Sequence, residues 1–356
     1  MIFTTIEKKF TTILKITAVT ALCAGLLIYS ENCSEGILRG LEFCLKVLIP
    51  SLFPFMAIST FVVKSGIAVS LGKPFKGVVN KLFGLNSNFA PILLLSMLGG
   101  YPVGARGVYQ LYKQNLASKA EAEKAVMFAV CAGPGFLINF VGIMLFHNKS
   151  FGLILLTSQI ISMIIIGIFL NLFSKNKNNF NSNTEVKDSS ISISNALVDS
   201  ATESSRGILA ICIFVVLFSS FIGMINNFIP DGIFKNIIYI LFEVCSAVNL
   251  LSTDCSFELL AFAVGFGGLC VHFQIFSAIG DLSINKLSFF CIRIIQGVIT
   301  SLLAHLETIF FIGNIEVFST STIEHADFYG NTVISGAVLI GVAICFLYSL
   351  KSYRHN

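Results

Sequence analysis

Ten long apolar runs, separated by short polar stretches, follow one another along the 356 residues of the chain. A helix of about 20 residues crosses the ~30 Å hydrocarbon core of a bilayer, and each run is about that long. The runs cover residues 11–30, 41–63, 89–112, 123–146, 150–173, 207–229, 233–252, 257–280, 286–306 and 329–350. This pattern predicts an all-α polytopic membrane protein with eight to ten transmembrane segments.

One polar stretch divides the runs into two sets of five. It begins SKNKNNFNSNTEVKDSSISISN, a composition typical of a disordered linker. We therefore expect a first membrane repeat over residues 1–173, a polar linker over 174–206 and a second membrane repeat over 207–356. The stretches MLGGYPVGARGVYQL and GFGGLCVHFQIFSAI support the duplication when Gly99-Gly100 is aligned with Gly267-Gly268. Glycine pairs are also common in membrane helices, so a parallel or an inverted repeat, or none, stays open.

The distribution of Lys and Arg indicates which runs span the membrane. If all ten span, the loops on the inner side hold twelve of these residues and those on the outer side eight. If the two runs with glycine pairs enter and return on one side, the numbers become seventeen and three. Because inner loops carry an excess of positive charge, we expect eight spans, two re-entrant hairpins, cytoplasmic termini and an acidic outer loop over 307–328.

Composition excludes several other classes of function. Hydrophobic residues make up 55% and charged residues 12% of the chain, whose net charge is only +4. We therefore expect a lipid bilayer, and no nucleic acid, as the environment of this protein. The ten cysteines form no CxxC pair and no cluster with metal-ligand spacing, so we expect neither a metal site nor a cofactor. Phosphate-binding loops and hydrolase motifs are also missing from the sequence, which favours a protein that is not an enzyme.

The third run carries the first candidate binding element. A break at glycine and proline frees backbone amides that can bind an anion. Arg106 adds a bidentate donor for carboxylate, and an arginine within a membrane segment is a functional candidate. The alternative is that its side chain reaches to the cytoplasmic surface. The candidate solute-binding residues here are Gly99, Gly100, Tyr101, Pro102, Gly104 and Arg106.

Two further breaks supply the remaining candidates. In the fourth run, Gly133, Pro134 and Gly135 interrupt the helix four residues before Asn139, either as a binding break or as a simple proline kink. In the eighth run, the candidates are Gly267, Gly268, His272 and Gln274. Arg293 and Glu243 lie in apolar surroundings, and we expect them to form a buried ion pair.

Several of these stretches also resemble one known family. LIPSLFPFMAIS, GKPF, LGGYPVGARGVYQLYKQ, AGPGFLINFVG and FGGLCVHFQ are similar to the sporulation integral membrane proteins called the YlbJ or SpoVV family. That family belongs to a wider group with a nucleoside-recognition Gate domain, similar to concentrative nucleoside transporters. The resemblance covers most of residues 41–310. The family often has Asn and Ser before the Gly-Pro step, where this chain has Ala129, Val130, Cys131 and Ala132.

The resemblance implies transport of a small solute across a bacterial cytoplasmic membrane, in the mother cell or outer forespore membrane, during spore formation. Family members are associated with dipicolinate, so we expect a transporter or facilitator for a small anionic or heteroaromatic solute. Two alternatives stay open: a membrane gate or scaffold component that transports nothing itself, and a nucleoside transporter. A homo-oligomer or a sporulation membrane partner is compatible with each of them.

Overall fold

The computed structural model describes residues 15–311, except 18, 21–22, 174–191, 227 and 254–256. The tenth apolar run, residues 312–328 of the predicted acidic loop and both termini therefore lie outside the described residues, while residues 307–311 are helical. The described part contains helices and no strand. Its α-helices are α1 Ser30–Phe43, α2 Ile49–Lys64, α3 Ile67–Gly72, α4 Lys76–Phe83, α5 Phe89–Gly99, α6 Tyr101–Lys113, α7 Lys119–Phe128, α8 Lys149–Leu172, α9 Ile193–Ile225, α10 Ile233–Phe242, α11 Val244–Thr253, α12 Phe257–Phe266, α13 Gly268–Ala278 and α14 Lys286–Phe311.

Five helical stretches among the described residues are long and apolar enough to cross a membrane. Their mean hydropathy runs from 1.8 to 2.8. They are Ser30–Lys64, Lys149–Leu172, Ile193–Ile225, Phe257–Ala278 and Lys286–Phe311. The first is continuous because a π-helical turn, Cys44–Leu48, joins α1 to α2. The prediction of an all-α polytopic membrane protein is confirmed.

The first glycine pair forms the tip of a helical hairpin. Its arms, α5 and α6, have 11 and 13 residues, so they are about 16 and 20 Å long and too short to cross a bilayer. A methyl group added at Gly107 would lie 2.7 Å from Ile92, and one added at Gly104 would lie 2.5 Å from Ser96. These two contacts show that α5 and α6 run antiparallel to each other away from the tip. Gly100 turns the chain at φ +95°, a conformation that favours glycine.

The second glycine pair does not form a hairpin, contrary to the prediction. A methyl group at Gly297 of α14 would lie 2.9 Å from Phe262 of α12, while the ring of Phe289 lies 5.5 Å from that of Phe276 of α13. Both α12 and α13 thus run antiparallel to the same helix α14. They form one discontinuous helix, interrupted at Gly267 and Gly268, where φ is +85° and +71°.

A second hairpin forms instead from α10 and α11. Each arm has 10 residues and is about 15 Å long. Glu243 joins the arms in an extended conformation, with φ −152° and ψ 119°. Tyr239 of α10 and Asn249 of α11 line the same cavity, as expected for arms that fold back on each other. The distribution of Lys and Arg could not identify this hairpin. Residues 253–256 (TDCS), which begin at the last residue of α11, contain neither Lys nor Arg, so the charge count is the same whether they lie on the inner or the outer side of the membrane.

The fourth run is also a discontinuous helix. α7 begins with a capping box between Ser118 and Glu121 and ends at Phe128. The chain then continues without regular structure to a π-helical segment, Gly135–Leu145. This segment packs on α8 through two glycines: a methyl group added at Gly142 would lie 3.0 Å from the backbone of Gly152, and one added at Gly152 would lie 2.5 Å from Leu137 O. Such close approach of backbones through small residues is common in membrane proteins.

Part of the predicted linker is helical. α9 begins at Ile193, where the Ser192 side chain accepts a hydrogen bond from the backbone of Asn195, and it continues for 33 residues. Residues 193–206 therefore belong to a long helix, while residues 174–191 lie outside the described part. Glu203 of α9 forms an ion pair with Lys64 at 2.6 Å. The Asn and Ser content concealed a helix that tertiary contacts stabilise.

The first hairpin should depend on Gly104 for its packing. In a Gly104→Ala variant the new methyl group would meet Ala129 O and Ser96 Cβ, which should cost roughly 1–3 kcal/mol. Gly77→Ala is the matched control, because nothing lies within 4 Å of its added methyl group. We expect the control to gain about 0.5–1 kcal/mol from helix propensity. Thermal unfolding of both purified variants in detergent measures the difference, and equal stabilities would contradict this packing.

Candidate functional site

A small cavity, here called the central cavity, lies where both hairpin tips meet both discontinuous helices. Its volume is about 30 Å³, enough for one or two water molecules. The lining comes from the first tip at Gly99–Pro102, the second tip at Glu243–Cys245, Gly133 and Gly135 of one break, and Val271 and Gln274 after the other. In this structure the space is too small for an organic ligand, since ligand pockets have volumes of about 300–1,000 Å³.

Glycine allows each hairpin tip to touch a helix break. A methyl group added at Gly133 would lie 3.0 Å from the backbone nitrogen of Gly100. One added at Gly268 would lie 3.1 Å from Ile240 O and 3.2 Å from the backbone nitrogen of Glu243. Such contacts are tighter than side chains normally accept. The first hairpin thus seats on the break in the fourth run, and the second hairpin on the break in the eighth.

Arg293 of α14 binds the backbone carbonyls of both breaks. Its side chain donates to Val130 O at 2.8 Å, to Phe266 O at 3.2 Å and to Gly265 O at 2.5 Å. The residue is 0% exposed. Carbonyls that a helix break leaves without partners need hydrogen bonds in apolar surroundings, and the guanidinium has enough donors to supply several of them.

The predicted ion pair between Arg293 and Glu243 is therefore wrong. The Glu243 carboxylate instead accepts hydrogen bonds from the backbone of Cys245 at 2.8 Å and of Ser246 at 2.6 Å. It caps α11, whose first amides have no partner within the helix. Each side chain thus compensates for backbone groups in its own neighbourhood.

Amide side chains from the two long helices complete these contacts. Gln159 of α8 accepts from the Ala132 backbone at 2.6 Å and donates to Val264 O at 2.9 Å. Gln296 of α14 donates to Val130 O at 3.2 Å, across the interface between the two breaks. Tyr101 donates to Val264 O at 2.6 Å and so ties the first hairpin to the second break.

Half of the predicted site residues line the central cavity. They are Gly99, Gly100, Tyr101, Pro102, Gly133, Gly135 and Gln274. Pro134 lies between the two lining glycines, at the start of the π-helical segment. The sequence breaks thus converge in space although they are far apart along the chain.

The other predicted residues lie elsewhere. Gly104 packs the first hairpin, and Gly267 and Gly268 shape the second break. Asn139 lies within the π-helical segment and is exposed. His272 is 2% exposed and its Nδ1 lies 2.5 Å from Gly268 O, with its ring packed against Phe266 and Phe289. These residues serve packing or backbone geometry in this structure.

Arg106 lines two other cavities and does not reach the central one. Its guanidinium donates to the backbone oxygen of Glu203 on α9. A cavity of about 150 Å³, here called the narrow cavity, lies beside Arg106, Arg206 and Gln274. A further cavity of about 270 Å³ is lined by Arg106, Lys113, Arg206 and Glu203, and we call it the basic vestibule.

On the other side of the central cavity lies a larger opening of about 460 Å³, here called the wide vestibule. It shares Val215, Glu243 and Cys245 with the central cavity. The central cavity in turn shares Pro102 and Gln274 with the narrow cavity. The four spaces therefore form one row through the described part of the protein, and the row is narrowest at the hairpin tips.

Sequence reasoning missed two features of this row. The sequence marks Glu243 as a polar residue in an apolar run but does not indicate its position at a hairpin tip. Its context, LFEVC, contains no glycine or proline to indicate a hairpin tip. The polar stretch before Arg206 predicts that this residue belongs to the linker, whereas it lies in the long helix α9. Among the described residues, no group of three or more His, Cys, Asp or Glu is arranged to hold a metal ion.

Arg293 should be required for stability. Arg293→Met keeps much of the side-chain volume but leaves the break carbonyls without donors, at about 1–3 kcal/mol for each buried unsatisfied group. Arg39→Met is the matched control, because Arg39 is 61% exposed and lies 3.7 Å from a Glu35 side chain that is 60% exposed. The control should change stability by less than about 1 kcal/mol. Thermal unfolding of the two purified variants measures the difference. Equal unfolding temperatures would contradict this role of Arg293.

Comparison with known proteins identifies a similar membrane protein. No protein-family model matches the chain, and no solved structure matches it. The chain is 24% identical over 330 residues to the sporulation integral membrane protein YlbJ of Bacillus subtilis (strain 168), covering 82% of this chain and 81% of that protein. The similarity to this protein and the five candidate spans together identify the chain as an integral membrane protein that is similar to sporulation integral membrane protein YlbJ.

Proposed function

We propose that this protein is a transporter or facilitator that moves a small solute through the central cavity when the hairpin tips open. The observation that carries the proposal is the row of four cavities, which is narrowest where the two hairpin tips contact the two helix breaks. Irregular backbone at membrane depth is tolerated where it is buried in protein or lines a cavity. Discontinuous helices of this kind build the binding sites of many transporters.

The size of the central cavity supports a mechanism in which the tips move. A space of about 30 Å³ admits water but not an organic acid with an aromatic ring. The two tips touch different breaks, so one tip can open while the other stays seated. Opening the second tip connects the central cavity to the wide vestibule. Opening the first tip connects the central cavity to the narrow cavity. This alternation would move a solute without an open channel.

The order of elements supports an inverted repeat. A long helix, a hairpin, a discontinuous helix and a second long helix follow one another in each half. Among the described residues, each half thus has three crossings and one hairpin. Because three is an odd number, the second half would have the opposite orientation in the membrane. The side-chain contacts are spaced alike: Gln159 lies 27 residues after Ala132, and Arg293 lies 27 residues after Phe266. In this scheme, the counterpart of Gly267-Gly268 is the Gly133–Gly135 break.

The basic vestibule supports an anionic solute. Arg106, Lys113 and Arg206 line it, and the Glu203 carboxylate in its wall is held by Lys64 at 2.6 Å and by Gln110 at 2.8 Å. A recess lined by one sign of charge raises the local concentration of oppositely charged solutes. The same end of the bundle carries Lys73, Lys76, Lys81 and Lys119, so in this proposal it faces the cytoplasm. A dipicolinate-type acid, small and heteroaromatic, is the solute class that we propose.

Arg206→Gln should lower the rate of dipicolinate uptake into proteoliposomes by roughly tenfold at low salt, because it removes charge from the basic vestibule. The loss should shrink as ionic strength rises. Lys76→Gln is the matched control, since Lys76 is exposed near the same end and lines none of these cavities. Uridine uptake should be the same in the two variants.

The same assay tests the proposed function itself. Purified wild-type protein should move dipicolinate and should move it faster than uridine. Uridine uptake alone would assign the protein to nucleoside transport. If the purified protein moves neither solute, the result would overturn the transporter proposal and favour a gate or scaffold.

A further inference from the structure

Glu243 occupies a position that the proposed transport of an anion does not explain. Among the described residues that line the central cavity, Glu243 alone is an acidic or basic residue. It is 1% exposed and also lines the wide vestibule. An anionic solute that passes between the hairpin tips must therefore come close to a buried carboxylate. Like charges in surroundings of low dielectric repel strongly, so the ionised form of Glu243 opposes that passage.

The Glu243 carboxylate also holds its hairpin tip together. One of its oxygens accepts from the Cys245 backbone and the other from the Ser246 backbone. Hydrogen bonds of amides to a charged carboxylate are stronger than those to a neutral group. The first hairpin has no such side chain, because Gly100 caps α6 without a side-chain hydrogen bond. Only the second tip can thus respond to a change in the charge of its own cap.

We propose that Glu243 binds a proton from the wide vestibule and couples its movement to that of the solute. This inference rests on the proposed transport function. The proton adds to one carboxylate oxygen, which then donates a hydrogen bond instead of accepting one. One cap of α11 is lost, and the tip loosens. The neutral carboxylic acid no longer repels an anion and offers its O–H to a solute carboxylate. The proton leaves to water when the tip reseats, so the step forms and breaks only O–H bonds.

The ionisable groups around Glu243 are compatible with this role. Those that approach it from packed elements are Cys44, Tyr101, Tyr239, Cys245 and Cys270. These thiols and phenols are neutral groups that leave the carboxylate as the local site for a proton. The wide vestibule adds the exposed pair Lys46–Glu42 at 2.5 Å, and Lys235 paired with Asp231 at 2.7 Å. Arg39 lies there beside Glu35.

The experiment measures dipicolinate in proteoliposomes of purified full-length protein under a pH difference of either sign. Wild type should accumulate up to about tenfold more dipicolinate for each unit of pH difference, since one coupled proton carries the free energy of a tenfold concentration ratio. A pH-sensitive dye in the lumen should report a proton moving with the solute. Glu243→Gln should lose the effect of the pH difference while it still exchanges labelled for unlabelled dipicolinate.

Two further variants show whether the effect belongs to the carboxylate of Glu243. Glu243→Asp keeps an ionisable group and should keep the dependence on the pH difference, even if its rate is lower. Glu258→Gln is the matched control: it removes an exposed carboxylate that lies 2.9 Å from His305, and it should behave like wild type.

The outcomes separate this inference from the transport proposal. Wild-type transport that is equal with and without a pH difference overturns proton coupling and leaves transport intact. A Glu243→Gln variant that still responds to the pH difference overturns the assignment to Glu243. Absence of any dipicolinate movement in wild type overturns both proposals.

Discussion

Arg293 satisfies the constraint on which the rest of this structure depends. Two helices are unwound deep within the protein, and each break leaves carbonyls without their helical partners. A buried unsatisfied group costs about 1–3 kcal/mol, so several of them would consume much of the stability of a membrane domain. One guanidinium binds carbonyls of both breaks. Gln296 donates to one of the same carbonyls, Val130 O, and Gln159 donates to a further one, Val264 O. The breaks are held side by side because the same donors serve both.

The hairpins depend on this arrangement in turn. Gly133 and Gly268 let each tip approach a break to van der Waals distance. Any side chain at these positions would separate tip and break and would open the central cavity. The tips are thus the weakest boundary in the row of cavities: they are held by packing against glycine, by the Tyr101 hydroxyl on one side and by the Glu243 cap on the other. Local opening there requires few contacts to break, as expected of a gate.

Charge is arranged unequally along the row. Cations lie at the basic vestibule, while the carboxylate of Glu243 lies at the narrowest point. The cations of the basic vestibule attract an anionic solute. The carboxylate of Glu243 repels such a solute unless the carboxylate is neutralised. The similarity to YlbJ identifies neither the solute nor the ion that is coupled to its transport. The position of Glu243 is a reason to examine protons before metal cations as the coupling ion.

The sequence by itself determined the membrane class, the first hairpin and most of the helix breaks. Hydropathy, glycine and proline act locally, so LGGYP and AGPG could be interpreted without the fold. Tertiary structure alone decided which residues meet. The second hairpin follows from packing around LFEVC, a stretch with no local break signal, and the 253–256 loop carries no charge to reveal it. Likewise, Arg293 donates to backbone carbonyls and not to the Glu243 carboxylate. The carbonyl of Val130, 163 residues away in the sequence, lies in unwound backbone and needs a donor, whereas the Glu243 carboxylate already accepts from backbone amides.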